Sequence, residues 1–588
     1  MNNSESEILI ALKQKPFCHQ RELAQRCSLS VGSVNKTLHI LNEKGLLDIH
    51  HHLTPQAEDL LTALRPQRAV ILAAGFGLRM VPIHRETPKA LLKVRGEALI
   101  ERQIRQLREA GVKDITVVVG FMKEQFEYLI DDFGVSLTVN PDYASANNLF
   151  SLLRAADRLE NAYIVPCDLY AEENPFRPWE LHSWYMVTDR PDPDSPVRVS
   201  RAGELVETRG GIPGNAMVGI AYVAAPDTPE LRHRLKTLAA DPAHRDSFWE
   251  DALAQDRRLL FPARAFPAAL ITEINTYEQL RELDGASEHL RNETIALIAR
   301  ELSASPKDIT QITLQKKGMT NRSFLFSCHG KRYIMRIPGE GTDQLIDRRK
   351  EAAVYRVIRD RGICDPVIYL NPENGYKITE YMEGARVCDP ENPKEVRRCM
   401  ARLRDFHALE LRVEHTFDIF GQIEFYESLW KGAPSVFRDY AATKDLVLSL
   451  RPWLESRPRR WALTHIDAVP DNFLFCPGSN GAEQILLIDW EYAGMQDQDV
   501  DLAMFCIYAL YDRAHTDALI NAYYPEGCPE EKRYKIYGYV AACGLLWSNW
   551  CEFKRQQGVE FGEYALRQYR YAKDYGRLLR DYIAVHPQ

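Results

Sequence analysis

Short apolar runs alternate with amphipathic helical patterns over the middle of the chain. Residues 69–75, 115–120 and 162–168 are strand-like, and 98–111 has apolar positions at helical spacing. This alternation predicts a mostly parallel, Rossmann-like α/β sheet with helices on both faces. Such sheets bind ligands at the carboxyl ends of their strands, so we expect the chemistry of this region there.

The stretches on either side have different patterns. The N-terminal residues contain short amphipathic helices around a tight turn, which predicts a compact, mainly helical domain. Near the other end, strand patterns are followed by mostly helical sequence, which a loop at 463–492 interrupts. This order is typical of a two-lobed α+β kinase-like fold. We therefore predict a multidomain protein with boundaries at 1–66, 67–287 and 288–588.

Length, charge and cysteine content narrow the class of protein. At 588 residues the chain is too long for one hydrophobic core, and its net charge of -8 argues against binding of nucleic acid or anionic membranes over its whole surface. It has no apolar run of about 18 residues and no signal-peptide pattern. Its twelve cysteines include no C-x-x-C pair, which is typical of reduced thiols. We expect a cytoplasmic protein with no membrane contact.

The first strand of the middle region ends in a loop of small residues that two cations follow. The loop is not a P-loop, and Met80 stands where a dinucleotide fingerprint has its third glycine. Small residues let backbone N–H groups approach a triphosphate closely. Arg79 and Lys89 would stabilise the charge of a departing pyrophosphate. The predicted nucleotide-binding residues are Leu72, Ala73, Ala74, Gly75 and Gly77.

The pattern L-A-A-G-x-G-x-R-M followed by T-P-K resembles the superfamily of sugar-nucleotide and cytidylyl transferases. These enzymes transfer a nucleoside monophosphate from a nucleoside triphosphate onto a phosphate. The resemblance implies carboxylates that hold Mg²⁺. Asp168, after an apolar strand, matches the first of these, and Glu273 with Asn275 matches the second acidic stretch. Asparagine can ligate a metal through its carbonyl oxygen, but it brings no charge.

Residues 140–152, N-P-D-Y-A-S-A-N-N-L-F-S-L, resemble a segment of bacterial phosphocholine cytidylyltransferases. The Glu-Lys-Pro motif of the sugar-specific members is missing, and residues 248–250 also resemble the choline branch. A quaternary ammonium group binds aromatic faces and a counter-charge. The resemblance therefore predicts that Tyr143, Asn148 and Trp249 bind phosphocholine, with packing in the core as the alternative for each aromatic residue.

A second reaction centre is predicted near the C-terminus. Residues 463–475 have the spacing H-x-D-x-x-x-x-N of a kinase catalytic loop, in which Asp467 would deprotonate the substrate hydroxyl and Asn472 would hold Mg²⁺. Asp489 follows a further apolar strand, where kinases have their main metal-binding aspartate. With the sequence I-D-W-E, this spacing resembles choline and aminoglycoside kinases, and bacterial choline kinases most closely.

The same resemblance assigns residues to ATP. Arg336 on a strand would pair with Glu351 on the next helix, and residues 317–323 would cover the phosphates. Glu380 and Met382 belong to the segment that would meet the adenine. These assignments depend on the kinase resemblance and not on spacing alone.

An aromatic and acidic cage for a trimethylammonium group is predicted in the same domain. Two tryptophans lie three positions apart on one helix, and a tryptophan and a glutamate follow Asp489. Aromatic residues at helical spacing more often pack in a core, which is the alternative here. The predicted cage residues are Trp490, Glu491, Trp547 and Trp550, together with Tyr492.

The N-terminal pattern E-L-A-x-x-x-x-L-S-x-G-S-V-N-K resembles the winged helix-turn-helix domain of MarR-like regulators. The resemblance implies that a helix at 31–41 would lie in the major groove of DNA. Ser33, Asn35, Lys36 and His39 would then contact DNA. Acidic and basic residues are balanced in this domain, whereas DNA-binding domains usually have a basic surplus, so a dimerisation or docking module is an equal alternative.

The two enzymes that the chain resembles catalyse consecutive reactions of one small cation. They imply a bifunctional enzyme that makes phosphocholine from choline and ATP, and then CDP-choline from phosphocholine and CTP, with Mg²⁺ as the cofactor. CDP-choline would then serve the decoration of bacterial surface glycans. An amino-sugar kinase and nucleotidyltransferase is one alternative, and a DNA-binding regulator that senses choline metabolites is another. The sequence leaves open ethanolamine as the substrate and the oligomeric state.

Overall fold

The computed structural model describes residues 1–83, 87–208, 212–315, 321–339, 345–478 and 483–586. The chain forms two compact units, Met1–Leu297 and Ile298–Gln588. The first unit contains both the N-terminal helical domain and the α/β domain. The second unit contains the kinase-like domain.

The N-terminal domain is a winged helix-turn-helix, as predicted. Each of its helices starts at a side chain that accepts a hydrogen bond from a backbone N–H of the first turn, which satisfies one of the free donors there. These capping residues are Asn2, His19, Ser30 and Thr54. An antiparallel bridge between Leu47 and Leu53 closes the small hairpin that forms the wing. The helices are α1 (Asn3–Gln14), α2 (Gln20–Arg26), α3 (Val31–Glu43) and α4 (Pro55–Ala63).

Strands and helices of the α/β domain alternate as predicted over residues 68–166, whereas the described part of residues 169–223 forms five strands with no α-helix between them. Its strands are β1 (Arg68–Ala73), β2 (Lys93–Val94), β3 (Glu97–Ala98), β4 (Asp114–Val119), β5 (Ser136–Val139), β6 (Ala162–Pro166), β7 (Leu169–Ala171), β8 (Trp184–Asp192), β9 (Val197–Val199), β10 (Glu204–Glu207), β11 (Gly214–Val223), β12 (Ala254–Gln255), β13 (Arg258–Phe266) and β14 (Ile271–Glu273). Its helices are α5 (Leu99–Glu109), α6 (Tyr128–Phe133), α7 (Asn148–Arg154), α8 (Thr228–Ala240) and α9 (Tyr277–Leu283), and α10 (Glu293–Glu301) includes the boundary between the two units.

The large sheet of this domain is mixed and not mostly parallel as the pattern of strands and helices predicted, because the strands after β6 pair mainly in the antiparallel direction. Its order is β5-β4-β1-β6-β11-β8-β13-β10-β9, with β12 paired to β13. The pairs β5–β4, β4–β1 and β1–β6 are parallel, whereas β11 joins β6 in the antiparallel direction. Three of the parallel strands, β1, β4 and β6, are mostly apolar and buried, because helices cover both of their faces, whereas the edge strand β5 is partly exposed. Their carboxyl ends meet at one edge, where the nucleotide loop follows β1.

The winged helix and the α/β domain share one hydrophobic core. Ile8 and Leu9 of α1 belong to the same buried cluster as Ile71 of β1. Polar contacts lie around this cluster, including an ion pair of 2.8 Å between Arg177 and Glu7 and a contact of 3.0 Å between His182 Nδ1 and Ser6 Oγ. The N-terminal domain is therefore packed as part of the first unit.

The second unit has a five-stranded antiparallel sheet followed by a mainly helical lobe. The sheet has the order β15-β16-β17-β19-β18. A short three-stranded sheet, β20-β22-β23, and the pair β21-β24 carry the catalytic loop. The strands are β15 (Thr310–Leu314), β16 (Asn321–Cys328), β17 (Lys331–Pro338), β18 (Val367–Leu370), β19 (Lys377–Glu380), β20 (Arg386–Val387), β21 (Trp461–Thr464), β22 (Phe473–Pro477), β23 (Glu483–Leu487) and β24 (Gly494–Asp497).

The helices of the second unit pack around one long buried helix, α18. A Cβ at Gly544 of α18 would lie 2.8 Å from the carbonyl oxygen of Gln568, so glycine allows α18 and α19 to approach closely. Within the described ranges, no helix is long and apolar enough to cross a bilayer. The helices are α11 (Arg348–Ile358), α12 (Pro393–Ala408), α13 (Ile419–Ser428), α14 (Tyr440–Ser449), α15 (Arg451–Ser456), α16 (Asp499–Tyr508), α17 (Arg513–Tyr523), α18 (Glu530–Gln556) and α19 (Glu563–Val585).

The shared core predicts that damage to α1 destabilises the α/β sheet. Leu9 is fully buried, and a buried Leu→Ala change costs about 2–5 kcal/mol. In Leu9→Ala, hydrogen exchange measured by mass spectrometry should become at least about tenfold faster in both α1 and β1, since about 1.4 kcal/mol is a factor of ten, and stay unchanged in β17. Ile49→Ala, at an exposed wing position, is the matched control. Faster exchange in α1 alone would show that the winged helix unfolds independently.

Two candidate active sites

The first candidate active site is a cleft of about 640 Å³ at the carboxyl ends of β1 and β6. It lies where an open α/β sheet binds ligands. Its walls come from the loop after β1, the segment before α7 and the residues that follow β6 and β14. The predicted residues that line it are Leu72, Ala74, Gly75, Gly77, Arg79, Lys89, Tyr143, Asn148, Asp168 and Asn275.

Two glycines determine the shape of the nucleotide loop. Gly77 has a φ of +60°, a left-handed conformation that favours glycine, and a Cβ there would lie 3.4 Å from Cβ of Lys89. Gly120, after β4, is more crowded: a Cβ would lie 2.7 Å from Cβ of Tyr143 and 2.8 Å from the carbonyl oxygen of Ala74. Gly120 therefore lets Tyr143 pack against the loop. Sequence analysis missed Gly120, although its position at the end of a strand could have identified it.

Lys89 connects the residues that were predicted to bind metal. Its Nζ donates hydrogen bonds to Oδ2 of Asp168 at 2.6 Å and to Oδ1 of Asn275 at 2.7 Å. The ammonium group neutralises Asp168 in a cleft that also contains Arg79. The cleft is therefore suited to an anionic ligand such as a triphosphate.

Three predicted residues do not line this cleft. Trp249 is buried against Tyr185 in the core, and its exposed neighbour Phe248 lines the cleft instead. Ala73 is buried within β1, where alternate residues face opposite sides of the sheet. Glu273, on β14, is exposed outside the lining. The prediction that Trp249 is a wall of the substrate site is wrong, because this aromatic side chain fills the core.

Two further features, one in the cleft and one next to its lining segment, were not among the predicted residues. Phe76, in the nucleotide loop, has ring centroids 5.1 Å from both Phe121 and Tyr143. Glu250 accepts a hydrogen bond of 3.1 Å from the hydroxyl of Tyr185, and Oε2 of Glu250 has no hydrogen-bond partner among the described residues. Burial raises the pKa of Glu250 to about 7.

The second candidate active site is a cleft of about 460 Å³ in the unit Ile298–Gln588. One end is lined by polar and charged residues of the β-rich lobe and the catalytic loop, and the other end by aromatic residues of the helical lobe. The predicted residues that line it are Arg336, Asp467, Asn472, Asp489, Glu491, Trp547 and Trp550. The two ends therefore differ in chemistry, one polar and charged and the other aromatic.

A buried carboxylate fixes the backbone of the catalytic loop. Asp501 of α16 accepts hydrogen bonds from the backbone N–H of His465 at 2.9 Å and of Ile466 at 2.7 Å. Asn472 donates to the carbonyl oxygen of Asp467 at 2.8 Å and to its Oδ2 at 3.0 Å. Burial, assisted by the charge of Asp489, raises the pKa of Asp467 to about 8. Asp501 was missed by sequence analysis, because its partner is 36 residues away.

The predicted ion pair of the β-rich lobe is present. Arg336 Nη1 and Nη2 donate to the two carboxylate oxygens of Glu351 at 2.6 and 2.8 Å. Arg348 donates to the same carboxylate at 3.1 Å and to Glu491 at 3.2 Å. This buried network links β17, α11 and the loop after Asp489, so it fixes the position of the loop relative to the sheet.

The aromatic end differs from the predicted cage in two positions. Trp490 is fully buried with its ring centroid 4.4 Å from that of His465, so it is a core residue and does not line the cleft. Glu491 lines the cleft, but its carboxylate pairs with Arg348. Tyr508 and Tyr564 are further lining residues that were not predicted. The observed walls are Tyr492, Tyr508, Trp547, Trp550 and Tyr564.

The predicted adenine-contacting residues lie beside the cleft. Thr379 lines it, whereas Glu380 and Met382 do not. Glu380 forms an ion pair of 3.0 Å with Lys331, so its side chain faces away from the nucleotide end. Of the predicted phosphate-covering loop, residues 317–320 lie outside the described residues.

The helix that was predicted to contact DNA presents an exposed face. Asn35, Lys36 and His39 of α3 are exposed and Ser33 is half-buried. His39 lies 3.3 Å from Glu43, which reduces the positive charge of this face. DNA contact by α3 stays a prediction.

Comparison with known proteins identifies the first unit. A choline-phosphate cytidylyltransferase of Streptococcus pneumoniae is 31% identical over 233 residues, which are 38% of this chain and 99% of that protein. A 2-aminoethylphosphonate cytidylyltransferase of Lancefieldella rimae is 33% identical, over 37% of this chain and 91% of that protein. This chain belongs to the choline-phosphate cytidylyltransferase family. The MobA-like NTP transferase domain family matches residues 69–175.

The other parts of the chain match two more families. The choline/ethanolamine kinase family matches residues 312–568, and the winged helix-turn-helix DNA-binding family matches residues 1–48. Protein LicA of Haemophilus influenzae is 26% identical, over 42% of this chain and 96% of that protein. The crystal structure of choline kinase LicA from Streptococcus pneumoniae has a TM-score of 0.42 at 27% identity, and it covers 49% of this chain and 100% of that one. The chain is therefore a bifunctional transferase with an N-terminal winged helix.

Enzymes of both transferase families generally use a divalent metal ion. The residues in each cleft are compatible with one, since carboxylate and amide oxygens are hard ligands. In the described part of the chain, no cluster of three or more His, Cys, Asp or Glu side chains could hold a metal ion. A hard cation with few protein ligands takes the remaining ligands from substrate phosphates and water.

The raised pKa of Glu250 predicts a pH-dependent stability of the first unit. A folded-state pKa near 7, above the ordinary 4.5, means that the folded protein binds the proton more tightly, so its stabilising contribution is present at low pH and lost as the pH rises through 7. Between pH 5 and 8 the wild type should lose about 2–3 kcal/mol relative to Glu250→Gln. Urea titration with a hydrogen-exchange readout of β8 measures this difference.

Asp256→Asn, which changes an exposed acid in the turn before β13, is the control for that experiment. It should leave the pH dependence of the wild type unchanged. Equal pH dependence in the wild type and Glu250→Gln would show that Glu250 is ionised in the folded protein throughout this range.

Proposed function

We propose that the chain converts choline to CDP-choline in two consecutive steps. The unit Ile298–Gln588 transfers the γ-phosphoryl group of ATP to choline, and the cleft after β1 transfers the cytidylyl group of CTP to phosphocholine with release of pyrophosphate. The observation that supports this most directly is the fusion of a choline/ethanolamine kinase match with a cytidylyltransferase match in one chain. The product of one reaction is the substrate of the other.

The kinase step would begin at Asp467. Its carboxylate accepts the proton of the substrate hydroxyl as the oxygen attacks the γ-phosphorus of ATP. Asn472 and Asp489 would hold Mg²⁺, which neutralises charge on the phosphates. Arg336, held by Glu351 at 2.6 Å, supplies a fixed positive charge beside them, so the step requires positioning and charge compensation.

The aromatic end of the second cleft would hold the trimethylammonium group. A quaternary ammonium cannot donate hydrogen bonds and binds the faces of aromatic rings. Tyr492, Trp547 and Trp550 provide such faces. Because Glu491 is paired with Arg348, its carboxylate is not the counter-charge of the cage, and the rings would supply most of the contact with the ammonium group. This arrangement supports choline over ethanolamine, whose ammonium requires hydrogen-bond acceptors.

The cytidylyl step would use the positive charges of the first cleft. A phosphate oxygen of phosphocholine attacks the α-phosphorus of CTP, and the bond to pyrophosphate breaks. Lys89 and Arg79 stabilise the charge that develops on the phosphates, and Asp168 with Asn275 would hold Mg²⁺. Asn148 accepts a hydrogen bond of 2.8 Å from the backbone N–H of Trp249, which positions the segment that carries Phe248.

The proposed setting is the cytoplasm, where ATP and CTP are available. The twelve cysteines are all free, which fits a reducing compartment. The glycan decoration that CDP-choline would serve follows from the family resemblance alone and is part of this proposal.

Substitution of one residue in each cleft should separate the two steps. Asp467→Asn removes the proton acceptor, so ADP release with choline should fall at least about 100-fold, while pyrophosphate release from CTP and phosphocholine stays unchanged. Asp168→Asn should show the reverse. Coupled assays for ADP and pyrophosphate measure the two steps independently. Loss of both activities in either variant would contradict two separate centres.

The proposed choline cage predicts a selective loss of choline affinity. Trp550→Ala removes a wall of the cage and should raise the KM for choline about tenfold, equivalent to about 1.4 kcal/mol, with little change in the KM for ATP. Trp461→Ala, which alters a half-exposed tryptophan outside the cleft, is the matched control. An unchanged KM for choline in Trp550→Ala would place the ammonium group elsewhere.

A further inference from the structure

The ammonium group of Lys89 lies on the two side chains that are proposed to hold metal in the cytidylyl site. It contacts Oδ2 of Asp168 at 2.6 Å and Oδ1 of Asn275 at 2.7 Å. The side chain of Lys89 is 11% exposed and that of Asp168 is 20% exposed. The contact is therefore a largely buried, charge-assisted pair, and such pairs are shorter and stronger than neutral hydrogen bonds.

The surroundings hold both partners of this contact in place. Lys89 begins a short 3-10 turn after Pro88, and its Cβ lies close to Gly77 of the nucleotide loop. The backbone N–H of Asn275 donates to the side chain of Gln279 at 2.6 Å. The backbone at Lys89 and at Asn275 is thus fixed, and the four-carbon side chain of Lys89 is the part that can move.

A divalent cation and the Lys89 ammonium compete for the same two oxygens. Both bind lone pairs of Asp168 Oδ2 and Asn275 Oδ1, and like charges at such a short separation repel strongly in a site with little solvent. A metal ion that enters must therefore displace Lys89. The displaced ammonium requires another anion. Because the cleft around it is lined by the nucleotide loop and Arg79, the phosphates of a bound nucleotide would be that anion.

We propose that Lys89 acts as a latch that closes the metal site of the free enzyme and opens when a nucleoside triphosphate accepts its ammonium group. Metal binding at Asp168 then depends on the nucleotide, and the two ligands bind with positive cooperativity. When the nucleotide binds, the metal ion replaces the Lys89 ammonium beside Asp168. The carboxylate of Asp168 is therefore paired with a cation in both states. This inference rests on the proposed function, which assigns Asp168 and Asn275 to the metal.

Binding of Mn²⁺ to the full-length protein tests the latch directly. Electron paramagnetic resonance measures free Mn²⁺ in a titration of Asp489→Asn, a background that weakens metal binding in the kinase cleft. The Mn²⁺ binding that depends on Asp168 is the difference between Asp489→Asn and the double variant that also carries Asp168→Asn. We expect this part to be absent without nucleotide and to appear with the α,β-methylene analogue of CTP.

Adding Lys89→Met to the same background should make the Asp168-dependent Mn²⁺ affinity at least tenfold tighter without nucleotide. Arg79→Met, which removes a positive charge from the same cleft without touching Asp168, is the matched control. It should cause less than a threefold change. Similar gains in both variants would indicate a general electrostatic effect and overturn the latch.

Two other results would also overturn the proposal. One is tight, Asp168-dependent Mn²⁺ binding without nucleotide by the protein that keeps Lys89. The other is an Mn²⁺ affinity that does not increase in Lys89→Met. Pyrophosphate release from CTP and phosphocholine, measured in the Asp489→Asn background, tests the proposed function separately. If that activity is absent and Lys89→Met still gains affinity, the latch stands and the proposed reaction does not.

Discussion

Neutralisation of carboxylates beside the phosphate sites is the constraint on which both clefts depend. An acid that binds metal or accepts a proton would repel a triphosphate if it stood alone. In the first unit, Lys89 pairs with Asp168. In the second, Arg336 pairs with Glu351 and lies 3.8 Å from Asp489. In both units a cation from one chain segment is placed against acids from another, so the folded structure brings these charges together.

The scaffolds that hold these charges differ, and each follows from local sequence. In the first unit, parallel strands end together, and Gly77 and Gly120 allow the loops after β1 and β4 to pack closely. In the second unit, a buried aspartate, Asp501, holds the backbone of the catalytic loop. The winged helix packs against the core of the first unit through α1, so the exposed face of α3 is fixed relative to the sheet. The winged helix therefore stabilises the first unit, and it also presents the exposed face of α3 for contact with other molecules.

Sequence reasoning predicted the parts of the sites that lie in short contiguous motifs. The loop after β1 and the H-x-D-x-x-x-x-N spacing gave Gly75, Gly77, Asp467 and Asn472, and these residues line the two clefts. A single turn or loop determines the relative positions of the residues in such a motif, so the local sequence is enough to predict them. The choline-kinase and nucleotidyltransferase folds followed from the same motifs together with the alternation of strands and helices.

Sequence reasoning failed where one face of an element had to be chosen. Trp249 and Trp490 are buried, whereas the neighbours Phe248 and Glu491 line the clefts. Adjacent residues point in different directions, and an aromatic side chain is suited both to a core and to a cage. The pairing of Glu491 with Arg348 spans 143 residues, so no local pattern could reveal it.

The proposed conversion of choline to CDP-choline requires both clefts of one chain to act in sequence. Phosphorus NMR of the wild-type protein with choline, ATP, CTP and Mg²⁺ tests it most directly, because it resolves substrate, intermediate and product in one sample. The account predicts that the phosphocholine signal rises first and that the CDP-choline and pyrophosphate signals follow at its expense. Unchanged choline, beside consumption of ethanolamine or an N-acetyl amino sugar in parallel samples, would contradict it.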